Sequence, residues 1–263
     1  MKQKNPVRLI AGVLLAAAGA VGSVMTRAAA IAEGASDGSK AVFALFLITV
    51  LLGIVLAFLG VRDLTRPGSG EKQTDTKTLA LAAMFAALCY IGFSFFKIDI
   101  PVGTEKTAFH LGNVFCVLGA LLLGGMWGGM AGAVGMTIAD LTTGYLTSAP
   151  KTFLLKLCIG LIVGLVAHKI FRISREQPGK RVLAGAAVAS LAGMAFNVVA
   201  DPLVGYFYKM WILGIPQEIA NAWAKIGAVT TLVNAVVAVV AATVFYMALR
   251  PALKHARLFP AMR

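Results

Sequence analysis

Acidic residues are scarce in this chain, 11 Asp+Glu among 263 residues, and charged residues of either sign make up only 13%. A water-soluble domain carries about 25%, so a soluble fold is excluded. Cysteine is scarcer still. Cys89, Cys116 and Cys158 all sit inside apolar runs without CxxC spacing. That argues against a disulfide framework or thiolate metal site and for buried small hydrophobes. No GxxxxGK[ST] loop is present, so the chain cannot hydrolyse ATP by itself. HExxH, GxSxG and paired metal-ligand clusters are missing too, and charges inside the apolar runs are too few for an obvious proton relay. The sequence predicts no catalysis, no metal and no cofactor.

What the chain does have is apolar length. Hydrophobic residues make up 59% and the mean hydropathy is +0.85. A bilayer crossing takes about 20 residues, so eight helices would use about 160. The class is an all-α polytopic membrane protein. The first run is Leu9–Met25, entered through Lys2, Lys4 and Arg8. Its basic start and the following Ala28-Ala29-Ala30 also fit a secretory signal, but 17 residues is long for a signal core, which favours a retained helix. The second run is Ala41–Val61. After it comes Arg62–Lys77, rich in charge and containing Pro67-Gly68-Ser69-Gly70, the one clear linker. The division is residues 1–66 with two additional helices, 67–77 as a cytoplasmic linker, and 78–263 as a six-helix core.

Within the core, Leu79–Phe96, Phe153–Phe171, Val182–Ala200 and Ile226–Leu249 read as single spans. Leu111–Ala139 carries no charge and would make a helix of about 43 Å, too long for a hydrocarbon core of about 30 Å. Gly124-Gly125-Met126-Trp127-Gly128-Gly129 in its middle splits it into two short crossings. Loop charges test the count. With the N-terminus inside, the inner segments hold Lys2, Lys4, Arg8, then Arg62, Arg66, Lys72, Lys77. They continue with Lys169, Arg172, Arg175, Lys180, Arg181, and end with Arg250, Lys254, Arg257 and Arg263. These are most of the 24 basic residues, so an even count with both termini inside accounts for the +13 net charge without nucleic acid.

Two features carry candidate chemistry. Ala82, Ala83, Ala86 and Ala87 form two overlapping Ala-xxx-Ala pairs, a close-approach surface for another helix or an internal seam. Gly124, Gly128, Gly132 and Gly125, Gly129 form a second seam, read as internal packing. The other feature is polar. His110, Asn113, Asp140, Lys151, Lys156, Asn197 and Asp201 all fall at the outer ends of helices. A lysine inside Phe153-Leu154-Leu155-Lys156-Leu157 must face the bundle interior or a watery cavity. Either Lys156 pairs with Asp140 or Asp201 to lock helices together, or these residues line a pocket for a small solute. Tyr145, Tyr206 and Trp211 are the aromatics placed to stack on a planar ligand, although most aromatics on that side fit an interfacial belt.

The block from Leu79 to Ile170 resembles the substrate-binding S component of energy-coupling factor (ECF) vitamin transporters, in the riboflavin-type branch. The resemblance is carried by Ala82-Ala83-Met84-Phe85-Ala86-Ala87, Phe109-His110-Leu111-Gly112-Asn113 and Leu123-Gly124-Gly125-Met126-Trp127-Gly128-Gly129. Ile138-Ala139-Asp140-Leu141-Thr142-Thr143-Gly144-Tyr145 and Ala149-Pro150-Lys151-Thr152-Phe153-Leu154-Leu155-Lys156 complete it. It implies a six-helix bundle in a bacterial cytoplasmic membrane that captures a vitamin at its outer face. Partners implied are a transmembrane coupling protein and two cytoplasmic ATPases, with docking through Ala82, Ala83, Ala86 and Ala87. The implied pocket is His110, Asn113, Asp140, Tyr145, Lys151, Lys156, Asn197 and Asp201. Riboflavin is the first expected ligand and a thiamine-precursor pyrimidine the second. The two extra N-terminal helices depart from the six-helix pattern. A self-sufficient secondary carrier is the alternative, with a membrane-embedded enzyme or structural membrane protein behind it.

Overall fold

A computed structural model of the protein describes residues 76–103, 105–176 and 179–256. The expected helices Leu9–Met25 and Ala41–Val61, and nearly all of the linker, lie outside the described residues. The described chain begins with α1 (Thr76–Ser94) and then folds into an antiparallel hairpin, β1 (Lys97–Val102) and β2 (Glu105–His110). Next come α2 (Gly112–Leu123), α3 (Gly125–Thr142), a 3₁₀ turn over Leu146–Ser148 and α4 (Ala149–Gly164), which widens into a π-helical turn, Leu165–Ile170. Two long helices follow, α5 (Lys180–Phe207) and α6 (Gln217–His255). The six expected core helices thus correspond to six α-helices among the described residues. Four helical segments are long and apolar enough to cross a bilayer: Lys77–Ser94, Leu146–Ile170, Lys180–Ile212 and Gln217–His255.

Gly124 is where the charge-free run breaks. Its φ of +87° is open to glycine and costly for other residues. On either side of it the helices meet at backbone distance. A Cβ at Gly128 would overlap Ala120 of α2, and one at Gly135 would overlap Ala86 of α1. Between α3 and α4, Gly125 faces Gly164 and Gly129 faces Gly160, and a Cβ on Gly160 or Gly164 would overlap the backbone of its partner glycine. The second small-residue seam is therefore internal packing. With no hydrophobic force between helices in lipid, such close backbone contact is what holds them.

The hairpin was not expected, since residues 97–110 read only as an outer loop. Gly103 at φ +62° supplies the positive φ that a tight hairpin needs at its first turn position. The overlooked signal is the alternation Ile98-Asp99-Ile100 ahead of Pro101-Val102-Gly103. The hairpin is sutured to α6. Asn234 accepts from the His110 amide (3.0 Å) and donates to the Ala108 carbonyl (3.0 Å), and the Thr107 and Thr230 hydroxyls lie 3.2 Å apart.

At the opposite end of the bundle, Arg250 of α6 is 1% exposed and donates to the carbonyls of Ile173 (2.7 Å) and Glu176 (2.6 Å). It thereby fixes the connection between α4 and α5. Ile173 is fully buried there, against a glycine of α5, Gly185. Lys209–Ile215 lies outside the compact unit formed by the other described residues. Within it the Ile215 amide donates to the Lys209 carbonyl at 3.0 Å.

Candidate ligand cavity

The hairpin end of the bundle holds a partly open cavity of about 70 Å³. Its floor comes from α3 and α4. Asp140 stands in the last turn of α3, and Lys151, Thr152 and Lys156 project from the first two turns of α4, all four buried. Asn197 and Asp201, one helical turn apart on α5, supply another wall. Trp223, Thr231 and Asn234 share the facing side of α6, where Gly205 of α5 leaves room for the Trp223 ring. His110 and Asn113 close the space from the junction of β2 and α2, and Lys106, Phe93 and Tyr145 form the rim.

One ion pair crosses this space. Lys151 Nζ lies 2.7 Å from Asp201 Oδ1 and 4.5 Å over the Trp223 ring, while the Thr231 hydroxyl donates to Asp201 Oδ2 at 3.0 Å. The lysine expected to form such a pair was Lys156. Among the described residues Lys156 makes no ion pair; it is 6% exposed and lines the cavity. Lys151 is nearer the start of α4 and meets Asp201 first. Four buried polar atoms around the cavity have no hydrogen-bond partner among the described residues: His110 Nδ1, Asn113 Oδ1, Asp140 Oδ2 and Asn197 Oδ1. Native interiors rarely leave such groups unmet.

The rim carries a second network. Asp99 of β1 accepts from the Tyr145 hydroxyl (2.7 Å), Lys97 (3.1 Å) and Lys106 (3.2 Å). Lys97 and Lys106 stand 4.8 and 4.5 Å from the Tyr145 ring, and Lys106 also donates to the Thr143 carbonyl. Partial burial pushes the Asp99 carboxyl up, but the hydrogen bonds from Tyr145, Lys97 and Lys106 outweigh it and hold the group below its ordinary value. Burial first, and then the bond to Asp99, push the Tyr145 hydroxyl up, so it remains a donor. This network pins the hairpin to the α3–α4 connection on the side away from α6.

The model of one protein family, ECF-type riboflavin transporter, S component, matches residues 73–251. The chain belongs to this family. No curated protein and no solved structure matches it. S components of ECF transporters bind substrate and are not enzymes; they work with a membrane-embedded coupling protein and ATPases. This S component is accordingly a multi-pass membrane protein, and its described core coincides with the matched region.

Of the ten pocket residues expected for the S component, His110, Asn113, Asp140 and Tyr145 line the cavity, as do Lys151, Lys156, Asn197 and Asp201. Tyr206 and Trp211 do not, and Trp211 is 62% exposed. The indole in the wall is Trp223, which the sequence reading passed over together with Thr231 and Asn234. Polar residues at helical spacing inside the apolar run Ile226–Leu249 were the available signal. The four alanines do not share a face either. Ala82 is 7% exposed and half-buried Ala86 packs against Gly135, whereas Ala83 and Ala87 are exposed. The inward pair is a seam with α3, and only the outward pair is open to another helix.

Proposed function

We propose that this S component captures a planar heterocyclic vitamin at the outer face of a bacterial cytoplasmic membrane and passes it on by docking on a coupling protein carrying two ATPases. The observation that carries the reading is the cavity lined by Phe93, Tyr145 and Trp223, with buried polar atoms around it that have no partner among the described residues. Apolar rings with a few placed polar groups are what small-molecule sites present. Riboflavin is the preferred ligand because the family description names it, and a thiamine-precursor pyrimidine is second. The hairpin end faces outward in this reading. Lys169, Arg172, Arg175, Lys180 and Arg181 gather at the other end, where the positive-inside bias puts the cytoplasm along with both termini.

A cavity of about 70 Å³ holds about five waters. In this reading the hairpin gives way when a flavin ring enters, and the Asp99 network is the attachment that yields. Docking falls to Ala83 and Ala87. Titrating the purified chain while following tryptophan fluorescence tests the ligand: saturable quenching by riboflavin at submicromolar concentration is expected. No response to riboflavin or the pyrimidine in the micromolar range retires the ligand class.

A further inference from the structure

Two opposite charges in the cavity are left apart. Asp140 is 2% exposed, with Thr152 beside it, and its Oδ2 has no partner among the described residues. Lys151 of the same cavity is engaged by Asp201. Lys156 lines the same cavity and makes no ion pair among the described residues. An unpaired buried carboxylate and an unpaired buried ammonium are each costly, and each is relieved by a third party that donates to one and accepts from the other. Asn113 and Asn197 add polar atoms to the same space, but an amide can turn either its oxygen or its nitrogen inward. An ionised carboxylate has no such choice: both its oxygens only accept, so Oδ2 calls for a donor.

We infer that Asp140 is the specificity-determining residue of the cavity: its carboxylate accepts a hydrogen bond from a ring-edge N–H of the ligand, while Lys156 donates to the acceptor next to that N–H. The cargo class is a planar heterocycle with a donor beside an acceptor on one edge. A flavin's cyclic imide has this edge, and so does an aminopyrimidine. The inference rests on the vitamin-binding reading and adds to it the residue that chooses. A site built to accept an N–H rejects the analogue lacking it far more strongly than a hydrophobic wall rejects a change of size.

The test is a grid of two probes and three proteins. Full-length wild type, Asp140→Leu and Asp140→Asn are purified, checked by thermal melting, and titrated with riboflavin and with 3-methylriboflavin, whose imide N–H is replaced. Wild type is expected to prefer riboflavin about 10- to 100-fold, the weight of one hydrogen bond to a charged group. In Asp140→Leu the preference falls to about threefold or less. Should that variant fail to fold, Asp140→Asn carries the test, with riboflavin affinity reduced about tenfold and 3-methylriboflavin unchanged. An undiminished preference in the variants, or equal wild-type affinity for both probes, overturns the role of Asp140 while leaving vitamin binding intact. Binding of 4-amino-5-hydroxymethyl-2-methylpyrimidine but of neither flavin overturns riboflavin alone, provided that binding is lost in Asp140→Leu; if it is retained, the inference falls. Binding of none of the three overturns both the inference and the reading beneath it.

Discussion

Where α3 begins and α4 ends, Gly125 meets Gly164 and Gly129 meets Gly160 with no side chain between them; where α3 ends and α4 begins, Asp140, Lys151 and Lys156 stand around open space. The same two helices are bound backbone to backbone at one end and present long polar side chains to a cavity at the other. Stability is therefore concentrated away from the ligand, and the cavity end can carry unmet hydrogen bonds without unravelling the bundle.

The contrast predicts a graded set of effects. Gly164→Val should be the most damaging change, because its Cβ would overlap the Gly125 backbone, which cannot rotate away as a side chain can. A loss above about 3 kcal/mol is expected, read as absence of folded protein in detergent or a much lower Tm. Asp201→Asn at the cavity end strands Lys151 and should cost about 3–5 kcal/mol, while Lys151→Met with Asp201→Asn should recover most of it. No recovery would mean that the pair is not the unit. Ala83→Leu with Ala87→Leu should leave Tm and ligand affinity unchanged, yet abolish co-purification with the coupling protein. Ala82→Leu with Ala86→Leu should instead lower Tm, and equal behaviour of the two doubles would erase the distinction between inward and outward faces.

The smallest effect concerns the hairpin. Asp99 is held below its ordinary value in the folded state, so its contribution is complete above the unfolded carboxylate value of about 4 and is lost as pH falls through the lowered one. More than a third of its side chain is exposed, which limits the gain to about 1 kcal/mol or less. Ligand release from wild type should become faster as the pH falls below about 4. Asp99→Asn should release faster at every pH and lose the acid dependence, as stopped-flow dissociation would report.

The six core helices and the break at Gly124 were legible because charge-free length has a hard limit set by bilayer thickness. The polar residues of the cavity were legible because a Lys or Asp inside an apolar run has few places to go. The alanine faces were not. Ala82 and Ala83 differ by about 100° around the helix, and two overlapping i, i+4 pairs do not say which one meets α3. Only the neighbouring glycine, Gly135, decides it. Trp223 was missed for a related reason: it precedes the apolar run Ile226–Leu249 in sequence but belongs to the same helix, which extends over 39 residues. The hairpin was hidden by its shortness, since six-residue strands between long helices give a weak alternation signal.

The length of α6 has a mechanical meaning. Thr231 is bonded to Asp201 in the cavity, and Arg250, about 28 Å further along the same helix, grips the α4–α5 connection. Pivoted at its cavity end, the helix is a lever, and a tilt of about 10° would sweep Arg250 through about 5 Å at this rise per residue. A small adjustment around a bound ring is thus magnified at the opposite membrane face, where the loop carbonyls of Ile173 and Glu176 would have to travel with the guanidinium or let it go.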